Sequence, residues 1–194
     1  MGSFPGGNIV RITPTISATA YDAGDVLFLT TEIPNAVKNR GGVSRLIAVT
    51  FIAQHDTVED YRFIFMENQY DLIGALSPGS SGGPTISDSN VEAAKITSTL
   101  NIDGSAVSVD LGSSVVGTFC QNDVNMAGLN CLVKAAEGST SVYVAGIAVD
   151  AQDYGAADDL DLVFHFEYLD QCLIGTIKTN IISSKNISLN IVLN

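Results

Sequence analysis

The chain has 194 residues, enough for one domain or two small ones. Its 21 acidic residues against 9 Lys and Arg give a net charge of −12, which excludes the basic face that a nucleic-acid binder or an anionic-membrane binder needs. With 46 % hydrophobic and only 15 % charged residues, the chain has material for a core, is unlike a disordered sequence, and has a surface poor enough in charge to be partly covered by other protein.

The N-terminal residues 1–8 lack the basic and then apolar layout of a signal peptide and read as a flexible arm. Gly6 stands where a myristoylation motif needs Ser or Thr. Ile9–Ile16 is β-branched, with Pro14 marking an edge or a bulge. Val26–Ile33 follows a Tyr-Asp-Ala-Gly-Asp turn, and Ser44–Gln54 follows Gly41 and Gly42. Tyr61–Met66 comes after a polar turn that contains His55. Charged residues at Arg11, Arg45 and Arg62 alternate with apolar neighbours and mark a solvent or partner face.

Ser77–Pro84 has the composition of a loop. Ser87–Ile96 is the one predicted helix, with Ser87 or Asp88 as N-cap and Glu92 in its early turns. Strands are predicted again at Ala106–Leu111, Ser114–Phe119, Leu129–Ala136, Ser141–Val149 and Leu160–Tyr168. Gly138 and Ser139 read as a tight hairpin between the third and fourth of these. In the last, Leu160, Leu162, Phe164 and Phe166 alternate with Asp161, Val163, His165 and Glu167, the pattern of a half-buried antiparallel strand. About ten short strands and one short helix predict an all-β, two-sheet β-sandwich over residues 9–168, jelly-roll-like in topology. No run of 18 apolar residues predicts a membrane span.

The extension 169–194 ends in a clean alternation. Ile187, Leu189, Ile191 and Leu193 share one face, and Ser188, Asn190, Val192 and Asn194 the other. A hydrophobic strand at a chain end needs a partner. It either closes its own sheet or adds to a neighbouring subunit, which makes Ile187, Leu189, Ile191 and Leu193 the candidate subunit-interface residues.

No catalytic constellation emerges. Gly79–Pro84 looks like the nucleophile loop of chymotrypsin-like proteases, but His55 precedes Ser81 by only 26 residues, and Ser80 replaces the usual Asp. Glu59 and Asp60 lie in a turn and carry no sugar-cleaving signature. His55 and His165 lack companion ligands, and the cysteines Cys120, Cys131 and Cys172 form neither a zinc motif nor a disulfide framework. They read as small buried thiols, with Cys120 and Cys131 on neighbouring strands as one possible pair. No Gly-rich loop opens a helix as a phosphate cradle. No cofactor and no metal is expected. From Ala135 to Ile177 there are eight acidic residues and no Lys or Arg. The Asp150–Asp161 loop at its centre reads either as a calcium loop of non-EF-hand spacing or as a solvated acidic rim that meets a basic partner.

Three stretches carry a resemblance: Ile12–Val26 with Glu32–Val37 and the Gly41-Gly42 pair, Leu132–Ala148, and Tyr154–Phe164. Together they resemble small virion structural proteins of tailed bacteriophages, especially aquatic ones, of the capsid decoration (cement) or head-fibre type. The resemblance spans roughly residues 9–168, is weaker over 67–130, and leaves the tail from about 169 as an extension. It implies a non-enzymatic protein that binds the major capsid protein and stabilises the shell between capsomers. It also implies a homo-oligomer, typically a trimer, on the capsid exterior, reached from the host cytoplasm during assembly, with neither nucleic acid nor membrane as partner. A fibre component or receptor- or glycan-binding virion domain is the alternative. A polysaccharide depolymerase would need clustered carboxylates and aromatic platforms that the sequence does not display.

Overall fold

Side chains that alternate along each strand send one set inward and one outward. In β4 (Tyr61–Met66) Tyr61, Phe63 and Phe65 are buried while Arg62 is exposed. In β10 (Leu160–Leu169) Leu160, Leu162, Phe164 and Phe166 are buried. The computed structural model describes residues 6–55, 57–71, 87–120 and 131–169. The remaining strands are β1 (Gly7–Ile12), β2 (Val26–Ile33), β3 (Val43–Ala53), β5 (Ile96–Ile102), β6 (Ser108–Asp110), β7 (Val115–Cys120), β8 (Leu132–Lys134) and β9 (Val142–Ala148). The helices are α1 (Asp88–Ala94) and α2 (Gly104–Val107).

The strands form two antiparallel sheets. Sheet I runs β1-β10-β3-β7-β6, and sheet II runs β2-β9-β4-β5. β8 also pairs with β3, along Val43–Arg45, whereas β7 pairs along Ala48–Ala53. Because β10 occupies the other side of β3, β7 and β8 are two pieces of one row. The pairings are nested: β1 with β10, β2 with β9, β3 with β7 and β8, and β4 with β5. That nesting, folded across two sheets, is jelly-roll topology.

Aromatic rings join the sheets. Phe164 of sheet I meets Phe63 and Phe65 of sheet II edge-on at 6.4 and 5.9 Å, and Phe51 meets Tyr61 at 5.0 Å. Two rings lie flat on backbone that only glycine leaves bare. A Cβ at Gly117 would fall 2.3 Å from Phe51 Cζ, and one at Gly146 would fall 2.2 Å from Phe28 Cε1. A smaller cluster of Met66, Ala94 and Ala145, with Ile64, Tyr70 and Tyr143, covers part of the outer face of sheet II under α1. Tyr70 donates to Asn90 Oδ1 at 2.7 Å, and Asn68 Nδ2 donates to the Ala93 carbonyl at 2.8 Å, which holds α1 in place.

The two-sheet sandwich is as the alternation predicts, with differences in detail. There are two helices among the described residues, and α1 stops at Ala94, where Lys95 takes the left-handed conformation. Ile96, read as the end of the helix, instead opens β5 (Ile96–Ile102), a strand the sequence reading did not assign. The predicted strand Ala106–Leu111 begins as α2, because Asp103 accepts the Ala106 amide at 3.3 Å and caps a turn there. Gly138, at φ 85°, does form a tight turn, with Ser139 N–H donating to the Ala136 carbonyl at 3.0 Å. The turn is no hairpin, however: β8 lies in sheet I and β9 in sheet II, so it carries the chain across the sandwich. β1 starts at Gly7, which pairs with Glu167, so strand pairing reaches into the segment expected as an arm.

Gly117→Ala should lower the unfolding free energy by about 1–3 kcal/mol, the usual cost of overpacking, as measured by urea denaturation. Adding Phe51→Leu should recover part of that loss. Strict additivity of the two changes would show that the ring and the backbone are not in contact.

Candidate functional site

The topology gathers acid at one end. The segments joining β1 to β2, β3 to β4, β5 to β7 and β9 to β10 all lie at the end of the sandwich opposite Gly7 and Leu169. These four segments hold 11 of the chain's 21 acidic residues and none of its Lys or Arg. Asp22, Asp25, Glu59, Asp60, Asp103, Asp110, Asp150, Asp153, Asp158 and Asp159 are the described members. No single loop announces this end, since each contributes two to four carboxylates.

Beneath the rim lies a buried polar cluster. Gln152 is the hub: its Nε2 donates to the Asp60 carbonyl at 2.8 Å, and its Oε1 accepts the Tyr154 hydroxyl at 3.0 Å. Its backbone also bridges to Tyr21. Tyr154 lies 3.4 Å from the Tyr61 hydroxyl, edge-on to Tyr21 at 6.0 Å and to His55 at 4.8 Å. Burial pushes both phenols, Tyr61 and Tyr154, above their ordinary range. His55 is half-buried rather than fully solvated, and its Nδ1 accepts the Thr57 amide at 3.1 Å. Asp60 Oδ1 accepts the Gly104 amide at 2.8 Å, which ties the β3–β4 segment to α2.

Glu59 is the unusual member. It is 3 % exposed and sits beside two further acids. Burial, then the charges of Asp150 and of Asp60, push its carboxyl up to about 7. Burial likewise raises Asp60, against the pull of the Gly104 amide, and Asp150 and Asp103 add to the rise. The cluster therefore holds a carboxyl that keeps its proton through mildly acidic pH and loses it around neutrality. Neither this arrangement nor any other among the described residues brings three acidic, His or Cys side chains together as a metal site.

The acidic stretch is not uniform. Asp161 leaves the rim and is buried on sheet I, bonded to the Arg11 guanidinium and the Thr13 hydroxyl. The Arg11 hydrogen bond holds its carboxyl below the usual carboxylate range. Asp159 accepts the Ala156 amide at 2.6 Å and closes its own turn. Asp150, Asp153 and Asp158 remain at the rim.

Other sequence-predicted residues are dispersed. His165 is half-buried on the outer face of sheet I, opposite Ile9 and Ala48. Cys120 is exposed at the end of β7, contrary to the buried-thiol reading, because its place in the alternation faces outward. Cys131 faces inward, with its Sγ 3.0 Å from Ser98 Oγ, and both thiols are free. Ile187, Leu189, Ile191 and Leu193, along with Cys172 and the Gly79–Pro84 motif, lie outside the described residues. Sequence reading missed Glu59, Gln152 and Tyr154 as one unit. The signal available was a Gln and a Tyr set within an otherwise acidic loop.

No family model matches this chain, and no curated protein matches its sequence.

Glu59 gives folding a specific pH dependence. The group is neutral in the fold up to about 7 but ionises in the unfolded chain above 4.5. Stability should therefore fall as pH rises between those values, by roughly 3 kcal/mol at about 1.4 kcal/mol per pKa unit. Asp161 acts in the opposite sense, since its contribution is lost as pH falls through its lowered pKa. Glu59→Gln, which mimics the neutral acid, should raise the urea midpoint at pH 8, leave it nearly unchanged at pH 4.5, and flatten the profile between. A midpoint lowered equally at both pH values would contradict a neutral Glu59.

Proposed function

We propose that this chain is a bacteriophage capsid decoration protein, which binds the shell between capsomers and stabilises it without catalysis. The observation that carries the reading is the polarity of the sandwich. Both ends of the described chain, Gly6 and Leu169, lie at one end, where Tyr168 N–H bonds the Gly6 carbonyl at 2.9 Å. The carboxylate rim lies at the other. The described chain therefore enters and leaves the sandwich at the end away from the acid, the end we assign to the shell. An acidic end turned to solution keeps like-charged particles apart and is kept away from packaged DNA.

The three stretches that resemble tailed-phage virion proteins support the same reading. So does a surface poor in charge, suited to broad contact with the major capsid protein. Shell-bound proteins of this sort act as homo-oligomers on the symmetry axes of the capsid, and we assign a trimer here. The place of action is the capsid exterior.

Quantitative mass spectrometry of purified particles tests the reading. A ratio between about one copy per three capsid subunits and one per one is expected for a protein that follows capsid symmetry. A few copies per particle would favour a fibre component, and absence from particles would overturn the virion assignment.

A further inference from the structure

The outer faces of the two sheets differ. That of sheet II is partly roofed by α1 and residues 67–71. That of sheet I has no such cover among the described residues. Across it run rows of paired side chains: Ile9–His165–Ala48–Cys120, Arg11–Val163–Thr50–Thr118, and Asp161–Ile52–Val116–Val109. Five of the eight large apolar side chains exposed in the described chain stand on this sheet or its margin: Ile9, Ile47, Val109, Leu111 and Leu132. Scattered exposed apolar residues need no explanation, but a set gathered on one sheet does.

The charges on this face decide what can cover it. The chain as a whole carries −12. Here, however, the cations are paired: Arg11 with Asp161, Arg45 with Glu167 at 3.4 Å, and Lys134, beside Leu132, with Glu67 at 2.8 Å. The face is locally neutral and apolar on a body that otherwise repels its own copies. Its size is of the right order. Five rows spaced about 4.8 Å apart, averaging roughly eight residues at about 3.3 Å each, span roughly 600 Å² in projection. A stable interface needs about 800 Å² of accessible surface per partner, and a face studded with side chains exposes more than its projection.

We propose that the outer face of sheet I is the interface through which copies of this chain associate with one another. A second copy is the occupant that the charge balance fits. Copies turned with this face toward a threefold axis meet without net repulsion, whereas contacts through the carboxylate rim bring like charges together. The inference deepens the oligomer assigned above and rests on that reading, but each fails separately. Absence from particles together with a face-dependent oligomer sinks only the capsid reading. A monomer present on particles in stoichiometric amount sinks only the interface.

Sedimentation velocity of the full chain at physiological salt, over a concentration series, is the test. The wild type should sediment as an oligomer. Ile47→Glu, at the middle of the face, should weaken association at least about tenfold by burying an unpaired charge in the interface. Val109→Glu, at the exposed margin, is the second variant should Ile47→Glu fail to fold. Val91→Glu on α1, equally exposed but off the face, should leave the oligomer intact. A wild type that stays monomeric at all concentrations would overturn the proposal. So would an oligomer that folded face variants leave intact, or one that Val91→Glu dissolves and they do not.

Discussion

The packing of Phe164 and its neighbours between the two sheets is the interaction on which the rest of the structure depends. Its ring touches Phe63 and Phe65 across the sandwich and stacks on Phe166 along its own strand. Phe51 and Phe28 lie equally deep, each against a glycine that gives its ring room. This fixes the spacing of the sheets and the register of β10, and β10 in turn holds β1 and β3. The bond from Arg11 to Asp161 and the facing rows of sheet I follow from that register. So does the position of the β9–β10 segment, which carries Gln152 and Tyr154 over the β3–β4 segment. A shift of one residue would send the aromatic set outward and take the polar cluster apart.

Local pattern carried much of this into the sequence. β10 is legible because its buried apolar residues recur at every second position, and β2 because an apolar run follows a turn sequence. The misread hairpin has one cause, which is that the pairing partners lie far away along the chain. Leu129–Ala136 and Ser141–Val149 flank a good turn sequence, so they read as a hairpin, yet β8 finds β3 and β9 finds β2 and β4. Ile96–Ile102 follows a helix directly and has few large apolar residues, so its alternation was hidden. The carboxylate rim was legible only in part. The Asp150–Asp161 loop stands out by composition, but its neighbours come from three other segments that only the topology brings together. Glu59 looked like one more turn acid, because nothing local shows that a side chain is buried.

The consequences for function come from separating two kinds of surface. Carboxylates collect where four loops meet, and the interior just below them tolerates a neutral Glu59. Sheet I balances its charges and leaves apolar side chains outward. A body with one like-charged end and one charge-balanced apolar face is compatible with the proposed work in an array of its own copies. The proposed role on a capsid uses both surfaces.

Orientation on the assembled particle tests this account most directly. A cryo-electron microscopy reconstruction of particles carrying the protein should place the end with Asp22, Glu59, Asp103 and Asp150 toward solvent and the end with Gly7 and Leu169 toward the shell. Density with the carboxylate rim pressed against the capsid protein, and the chain ends pointing into solution, would contradict it.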